Sequence, residues 1–294
     1  MIKNNTHFDL VLDQLQHPAP VFNTGFTQLD SLTGGIGHGK VVIVGGRPSM
    51  GKSSFLIDIT RNFLRQDVPV LFLSAEMSAG SLMFRMIVGE SLISSRALKE
   101  SNLNEVEKEK LQHTVNHFKR TKIWMEDETR LTPTKIMERV HKLREVIGDS
   151  PFVVMVDYLQ LLQSDEPIYS RNLELESIIT TLQAEFKSLP AVLFVASQLN
   201  RGLDARENPY PRLSDLKDSG SIEQSADIVM LLFRPDYYKI SDGEYHTKDT
   251  GTAQVIVAKN RDGSTGVIDL AFIPDITSFR NTFNNQIQVD ELPF

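Results

Sequence analysis

Residues Gly46-Arg47-Pro48-Ser49-Met50-Gly51-Lys52-Ser53 spell G-x-x-x-x-G-K-[ST], and no other stretch restricts the fold of this chain so tightly. Such a loop binds phosphate only where it leaves a strand and opens a helix. The chain supplies both. Lys40-Val41-Val42-Ile43-Val44 is a short β-branched run that reads as a buried strand. After the loop, Phe55, Ile59 and Phe63, with Leu56 and Leu64 beside them, recur at helical spacing up to Arg65. A strand, a glycine turn and a helix in succession aim free backbone N–H groups at an anion. Glycine keeps Cβ atoms out of the way of the phosphates. Residues Gly46 to Ser54 are therefore expected to wrap the phosphates of ATP, with Lys52 on the β- and γ-phosphates and the Ser53 hydroxyl on Mg²⁺. The alternative is a glycine turn with an incidental lysine.

The rest of the chain repeats the alternation of strand and helix. Val68 to Leu73 reads as a second strand that runs out at Ser74-Ala75-Glu76-Met77. Helices are expected over 79–92 and 103–119, then a short strand over 122–126 holding the single tryptophan, Trp124, as a core or edge residue. Thr132-Pro133 starts a helix that Gly148 ends. Phe152 to Val156 is a continuous apolar run closed by Asp157, and a helix over 172–188 and a strand over 191–197 follow. The polar stretch 198–220 has no periodicity, as functional loops often do not. Strands near 227–233, 253–259 and 267–273 complete the reading, the last two joined as a hairpin by Asn260-Arg261-Asp262-Gly263. Buried apolar strands separated by helices predict an α/β fold, a mostly parallel sheet covered on both faces, with the hairpin adding antiparallel strands at one edge.

Ligands of such sheets bind at the carboxyl ends of the strands. Asp157 stands at one such end, as an acid for the Mg²⁺ shell or as a strand cap. Glu76 stands at another, as the base for an attacking water or as an acid leading into a helix. Gln198 ends a third, as a sensor of the γ-phosphate or as a loop hydrogen bonder. Lys259 and Arg261 lie in the hairpin turn. At the sheet edge they would miss their own phosphate loop and reach a neighbour's; the bland reading is a solvated turn.

The totals narrow the class further. There is no cysteine, which excludes disulfides, thiolate metal sites and thiol chemistry. No run of eighteen apolar residues exists, and the first ten residues have no secretory character, so the expectation is a cytoplasmic protein with no membrane partner. Net charge is −7, so any nucleic acid must be held by a local groove or by backbone amides.

The segments TGFTQLDSLTGG, GGRPSMGKSS, FLSAEMS, VDYLQLL, ASQLNR, LSDLKDSGSIEQSADIVMLLFR and AKNRDGSTGVIDLAFIPDITSF, in this order, resemble the motor domain of DnaB-type replicative DNA helicases. The resemblance spans about Phe22 to Asn281 and implies a RecA-like fold, ATP bound between subunits, and a hexameric ring on single-stranded DNA. It makes Lys52, Ser53, Glu76 and Asp157 the phosphate lysine, the Mg²⁺ hydroxyl, the catalytic base and the second acid. It makes Gln198 the nucleotide sensor and the pair Lys259 and Arg261 the fingers that act in trans. Arg85 matches an arginine of the helix after EMS, at the nucleotide site. Lys217, Asp218 and Gly220 match positions that contact the DNA backbone, as a lysine beside free amides can; the alternative is a loop packing on the next helix.

The chain departs from that pattern at Lys217-Asp218, where the family often has Arg-Glu, and at Ser225, where it often has Asp. About twenty residues precede the motor, with Phe8, Val11, Leu12 and Leu15 on one helical face that could dock on its own domain or on a neighbour, and they resemble the linker helix that docks on an adjacent subunit. The collar domain usual in the family is not expected. Residues 1–20 are thus expected as linker, 21–281 as motor and 282–294 as an acidic tail. Asp290-Glu291-Leu292-Pro293-Phe294 looks like the tip of bacterial single-stranded-DNA-binding proteins, a means of recruiting host replication proteins, the alternative being a frayed acidic end. The expected function is an ATP-driven helicase motor, bacterial or encoded by a phage or plasmid. The rivals are a RecA-like ATPase that remodels without unwinding, or a subunit that joins a host ring.

Overall fold

The computed structural model describes Phe8, Leu12 and residues 20–216, 220–238, 251–283 and 286–287. Its centre is six parallel strands: β1 (Lys40–Gly46), β2 (Val70–Ser74), β3 (Ile123–Asp127), β4 (Phe152–Asp157), β5 (Ala191–Gln198) and β6 (Ile228–Phe233). They lie in the order β6-β1-β5-β4-β2-β3. Beyond β6 the sheet turns antiparallel through β7 (Thr252–Asn260), β8 (Gly266–Ile273), β9 (Ser278–Phe283) and β10 (Gln286–Ile287). The expected hairpin is β7–β8. Two strands that the sequence pattern did not announce extend it.

Helices cover both faces: α1 (Thr27–Thr33), α2 (Lys52–Arg65), α3 (Ala79–Ser91), α4 (Ser95–Lys99), α5 (Glu105–Phe118), α6 (Pro133–Ile147), α7 (Arg171–Phe186) and α8 (Gly220–Ser225). Strand β1 shows why its run is continuously apolar. Side chains alternate between faces. Val42 and Val44 join a core with Phe55, Ile59 and Phe63 of α2 and Leu82 of α3. Val41 and Ile43 join a second core with Val140 of α6 and Ile178 and Leu182 of α7. Each such side chain, fully buried, contributes about 1.5–3 kcal/mol. Trp124 of β3 is half-buried against the second core.

Local signals set the helix ends. Asn104 and Glu107 form a reciprocal capping box at α5, each side chain accepting the other's backbone N–H at 2.9 Å. Thr132 caps α6 with Pro133 in its first turn, and Gly148 leaves it at φ 67°. The break between the two expected helices over 79–119 holds the additional α4, capped by Ser94.

Strand β9 was invisible to patterning because the neighbours that share its burial with Phe279 are the polar Ser278 and Arg280. Asp58 of α2 accepts from Arg61 at 2.7 Å, from the Ser278 hydroxyl at 2.8 Å and from the Phe279 amide. Arg280 donates to the Gly89 carbonyl at 2.6 Å, and Arg65 bonds Glu90 at 3.0 Å. Asp58, Arg61, Glu90 and Arg280 are all buried. Burial pushes the Asp58 carboxyl up, against the pull of Arg61. It pushes Arg280 down to about 10. The network ties the helix of the phosphate loop to β9.

Candidate nucleotide site and the opposite end of the sheet

The strand ends converge. In the parallel register Gly46 faces Gln198, and Ser74 faces Asp157. The loop after β1 turns through Ser49 (φ 68°) and Gly51 (φ 94°) into α2. A Cβ at Gly51 would stand 3.0 Å from the Phe279 ring, so the positive φ and the ring below it both call for glycine. A cleft of about 620 Å³ opens there, walled by Pro48, Ser49, Gly51, Lys52, Ser53 and Ser54 of the loop and by Glu76, Arg85 and Gln198 around it. Met50 is buried instead. Arg47 turns away from the cleft. Its guanidinium donates to the Leu199 carbonyl and the Asp204 carboxylate at 3.0 Å each, and Tyr238 donates to the same carboxylate at 3.2 Å. Arg47 holds Asp204 below the usual carboxylate range, and burial lifts the Tyr238 hydroxyl to about 12.

Lys52 donates to the Gly46 and Arg47 carbonyls at 3.0 and 3.3 Å. Burial lowers its pKa, while Asp157 and Glu76 draw it back up. Asp157 is buried, and both its carboxylate oxygens lack a hydrogen-bond partner among the described residues. Burial raises its pKa, although the neighbouring Ser53 hydroxyl pulls the other way. A buried, unpartnered carboxylate beside a hydroxyl is the oxygen donor set that Mg²⁺ takes, so these residues fit the ion. Glu76 is exposed on the turn between β2 and α3. That turn is fixed by the Met77 amide on the Ser74 hydroxyl (2.8 Å), and Ser78 caps α3, so the helix does not depend on Glu76. Gln160 clamps the end of β5, accepting from the Gln198 amide and donating to Ser197, both at 3.0 Å.

The polar stretch after Gln198 is ordered by side chains rather than by apolar spacing. The Leu199 amide donates to the Gly46 carbonyl at 3.2 Å, and Leu199 pairs with Leu216 in an isolated antiparallel bridge. Asn200 caps a 3₁₀ turn over Arg201–Ala205, and Arg206 pairs with buried Asp215. Lys217 and Asp218 lie outside the described residues, as does the tail Asp290–Phe294. Gly220 opens α8. Of the N-terminal twenty, Phe8 and Leu12 are helical and exposed.

Several cleft residues escaped sequence reasoning. Arg234 follows β6 and lies over the Phe272 ring at 4.0 Å, and both line the cleft with Tyr158, Pro274 and Thr277. Arg234 stands at a strand's carboxyl end, so the rule that found Gln198 applies to it too. Phe272 and Thr277 arrive through long-range pairing, and no local signal marks them.

Lys259 and Arg261 are elsewhere. The hairpin lies inside the sheet, since β7 pairs with β6. Lys259 stands opposite Val229, and Ile228 stands beside Val42, near the start of β1. The two cations therefore occupy the amino end of the parallel strands. Arg261 is level with Val41, five residues from Gly46, or roughly 17 Å of strand. Neither is merely solvated. Lys259 donates to the Ala226 carbonyl at 2.7 Å and to those of Glu223 and Gln224. Burial lowers its pKa, and Arg261 lowers it further. Arg261 bonds Asp227 at 3.2 Å and the Gln224 carbonyl.

Among the described residues no helix is long and apolar enough to cross a membrane. Residues 22–281 match the family described as DnaB-like helicase C terminal domain. The chain is 36% identical over 277 residues to the replicative DNA helicase DnaB of Haemophilus influenzae, covering 92% of this chain and 58% of that protein. It is 34% identical over 260 residues to the replicative DNA helicase DnaC of Bacillus subtilis, covering 88% and 56%. The chain thus spans somewhat over half the length of these relatives. Among solved structures, one described as an ATPase domain superposes with a TM-score of 0.88 at 29% identity, over 96% of this chain and 99% of that one. A DnaB-like replicative helicase, described with its interactions with primase, gives 0.88 at 28%, over 96% and 68%.

Proposed function

The chain belongs to the DnaB-like helicase C terminal domain family, and on that premise we propose that it is the ATP-hydrolysing motor of a replicative DNA helicase, working on single-stranded DNA as a ring of copies of itself, a hexamer. The backbone of residues 46–54 cradles the triphosphate, and Lys52 neutralises its outer phosphates. Ser53 and Asp157 would hold Mg²⁺, which supplies charge neutralisation at the β- and γ-phosphates. Glu76, on its exposed turn, accepts a proton from the attacking water. The Gln198 amide bonds the γ-phosphate, and Arg85 adds a positive charge on the same wall. Arg234 and Phe272 form a platform for the base.

Hydrolysis is completed from the next protomer, whose Arg261 and Lys259 meet the charge that develops in the transition state. Lys217, Asp218 and Gly220 grip the DNA backbone without reading sequence. Exposed Phe8 and Leu12, one helical turn apart, suit docking on a neighbour. The tail Asp290–Phe294 recruits replication proteins through its acids and terminal Phe.

The observation that supports this reading most is the division of the sheet. Loop, acid, base and sensor share one end; both candidate fingers occupy the other. A protomer arranged this way completes its site only with a second copy. The test is a forked DNA duplex with a single-stranded tail, incubated with the protein, ATP and Mg²⁺. Strand separation that requires ATP is expected. DNA-stimulated hydrolysis without any separation would replace the helicase with a remodelling ATPase.

A further inference from the structure

Asp227 stands between α8 and β6, buried, where nothing in the reaction touches it. Its backbone amide donates to the Val41 carbonyl at 3.0 Å, and its Oδ2 accepts from the Val41 amide at 2.9 Å. The residue is therefore fastened twice to β1, the strand that ends in the phosphate loop. Its remaining acceptors both serve Arg261. The backbone carbonyl takes the Arg261 amide at 3.0 Å, and Oδ1 takes the guanidinium at 3.2 Å.

The Val41 amide alone does not call for a carboxylate there; an amide or hydroxyl oxygen would satisfy it. Burying a charge is costly unless the charge is paired. The charge on Asp227 is matched by Arg261, whose side chain is 42% exposed beside a cavity of about 560 Å³ that Lys40 and Lys187 also line. A guanidinium has five donors. Those not used on Asp227 and Gln224 remain for an incoming anion. We propose that Asp227 is the positioning residue of Arg261: it holds the guanidinium at a fixed place and angle relative to β1, so that the finger is presented to a neighbouring protomer's triphosphate already oriented. The proposal rests on the reading of Arg261 as a residue that acts in trans.

Pairwise mixing of variants, assayed for ATP hydrolysis with Mg²⁺ and single-stranded DNA, tests both levels. Lys52→Ala disables its own site but keeps the finger; Arg261→Ala keeps the site and loses the finger. Each is inactive alone, and equal amounts mixed regain turnover where one serves the other. No recovery in that pair overturns the trans reading, and this inference with it. Asp227→Asn keeps an acceptor for Val41 and removes the charge. It is expected to lower kcat by about one to two orders of magnitude, the cost of misplacing a reacting group by about 1 Å, with KM for ATP unchanged. Lys52→Ala is expected to rescue it as it rescues Arg261→Ala, which a defect in the variant's own fold or site would not allow. Rescue of Arg261→Ala without rescue of Asp227→Asn, or an unchanged kcat in Asp227→Asn, overturns the inference. If that variant fails to fold, Asp227→Glu retains the charge one methylene out of place, and the same rescue is expected and the same failure decisive.

Discussion

Leu199 and Leu216 pair in an isolated antiparallel bridge, one residue after Gln198 and one residue before Lys217. The candidate sensor of the γ-phosphate and the candidate DNA-gripping loop are thus joined through this bridge, beside which the Asn200 amide donates to the Asp215 carbonyl at 2.7 Å. The Leu199 amide also bonds the Gly46 carbonyl at the mouth of the phosphate loop.

This junction predicts the effect of Gln198→Leu. The variant retains its bridge and should bind ATP normally, because Lys52 and the loop amides are untouched. Stimulation of hydrolysis by single-stranded DNA should collapse, since couplings of this kind span about 5- to 150-fold. Steady-state turnover with and without DNA measures it. A ratio equal to the parent's would remove Gln198 from the pathway.

Asp157→Asn should stabilise the ligand-free protein while abolishing hydrolysis. Among the described residues no hydrogen bond meets either oxygen of the parent carboxylate, and burial raises its pKa against the pull of the neighbouring Ser53 hydroxyl and Lys52. A raised pKa means that the folded state binds the proton more tightly than the unfolded chain does. The parent therefore loses stability as pH rises from about 3.9, the unfolded value, through the folded pKa. Asparagine escapes that loss. Its advantage should be largest at neutral pH, at about 2–4 °C in Tm for each kcal/mol relieved, and should vanish toward acid. Melting curves across pH give the answer, and an advantage that grows toward acid contradicts the assignment.

Arg234→Ala should raise KM for ATP with little change in kcat. As the proposed platform for the base, Arg234 stacked on Phe272 would contribute equally in the ground and transition states. A loss of about 1–2 kcal/mol corresponds to roughly five- to thirtyfold in KM. A fall in kcat at constant KM would move Arg234 into the phosphate chemistry.

Asp58→Asn should destabilise the fold strongly, by about 3–5 kcal/mol, because it leaves the buried Arg61 and Arg280 without their shared anion. Urea titration gives the midpoint directly. A shift of a few tenths of a kcal/mol would mean that water or Glu90 satisfies the two arginines instead.

Legibility followed the physics of each segment. Strands β1 and β4 were readable because both faces are buried, so Val41 to Val44 and Phe152 to Val156 are unbroken apolar runs. Strand ends were readable in turn, which brought out Asp157 and Gln198. Strand β9 was not, because Ser278 and Arg280 are buried through hydrogen bonds to Asp58 and Gly89 rather than through apolar contact. Nor was the part of the cleft lined by Phe272 and Thr277, which arrive across a sheet far from the phosphate loop in sequence. The hairpin turn was found from Asp262-Gly263. That its cations face the opposite end of the sheet from Lys52 is a fact of register, which no local pattern carries.

Sharing of hydrolysis between protomers, across these two ends of the sheet, is the central claim. It is tested most directly by kcat for ATP hydrolysis on single-stranded DNA in Arg261→Ala, with nucleotide affinity measured in the same preparation. A fall of about 10³-fold or more at unchanged affinity is predicted, as for other trans-acting arginines. Turnover at the parent rate would contradict it.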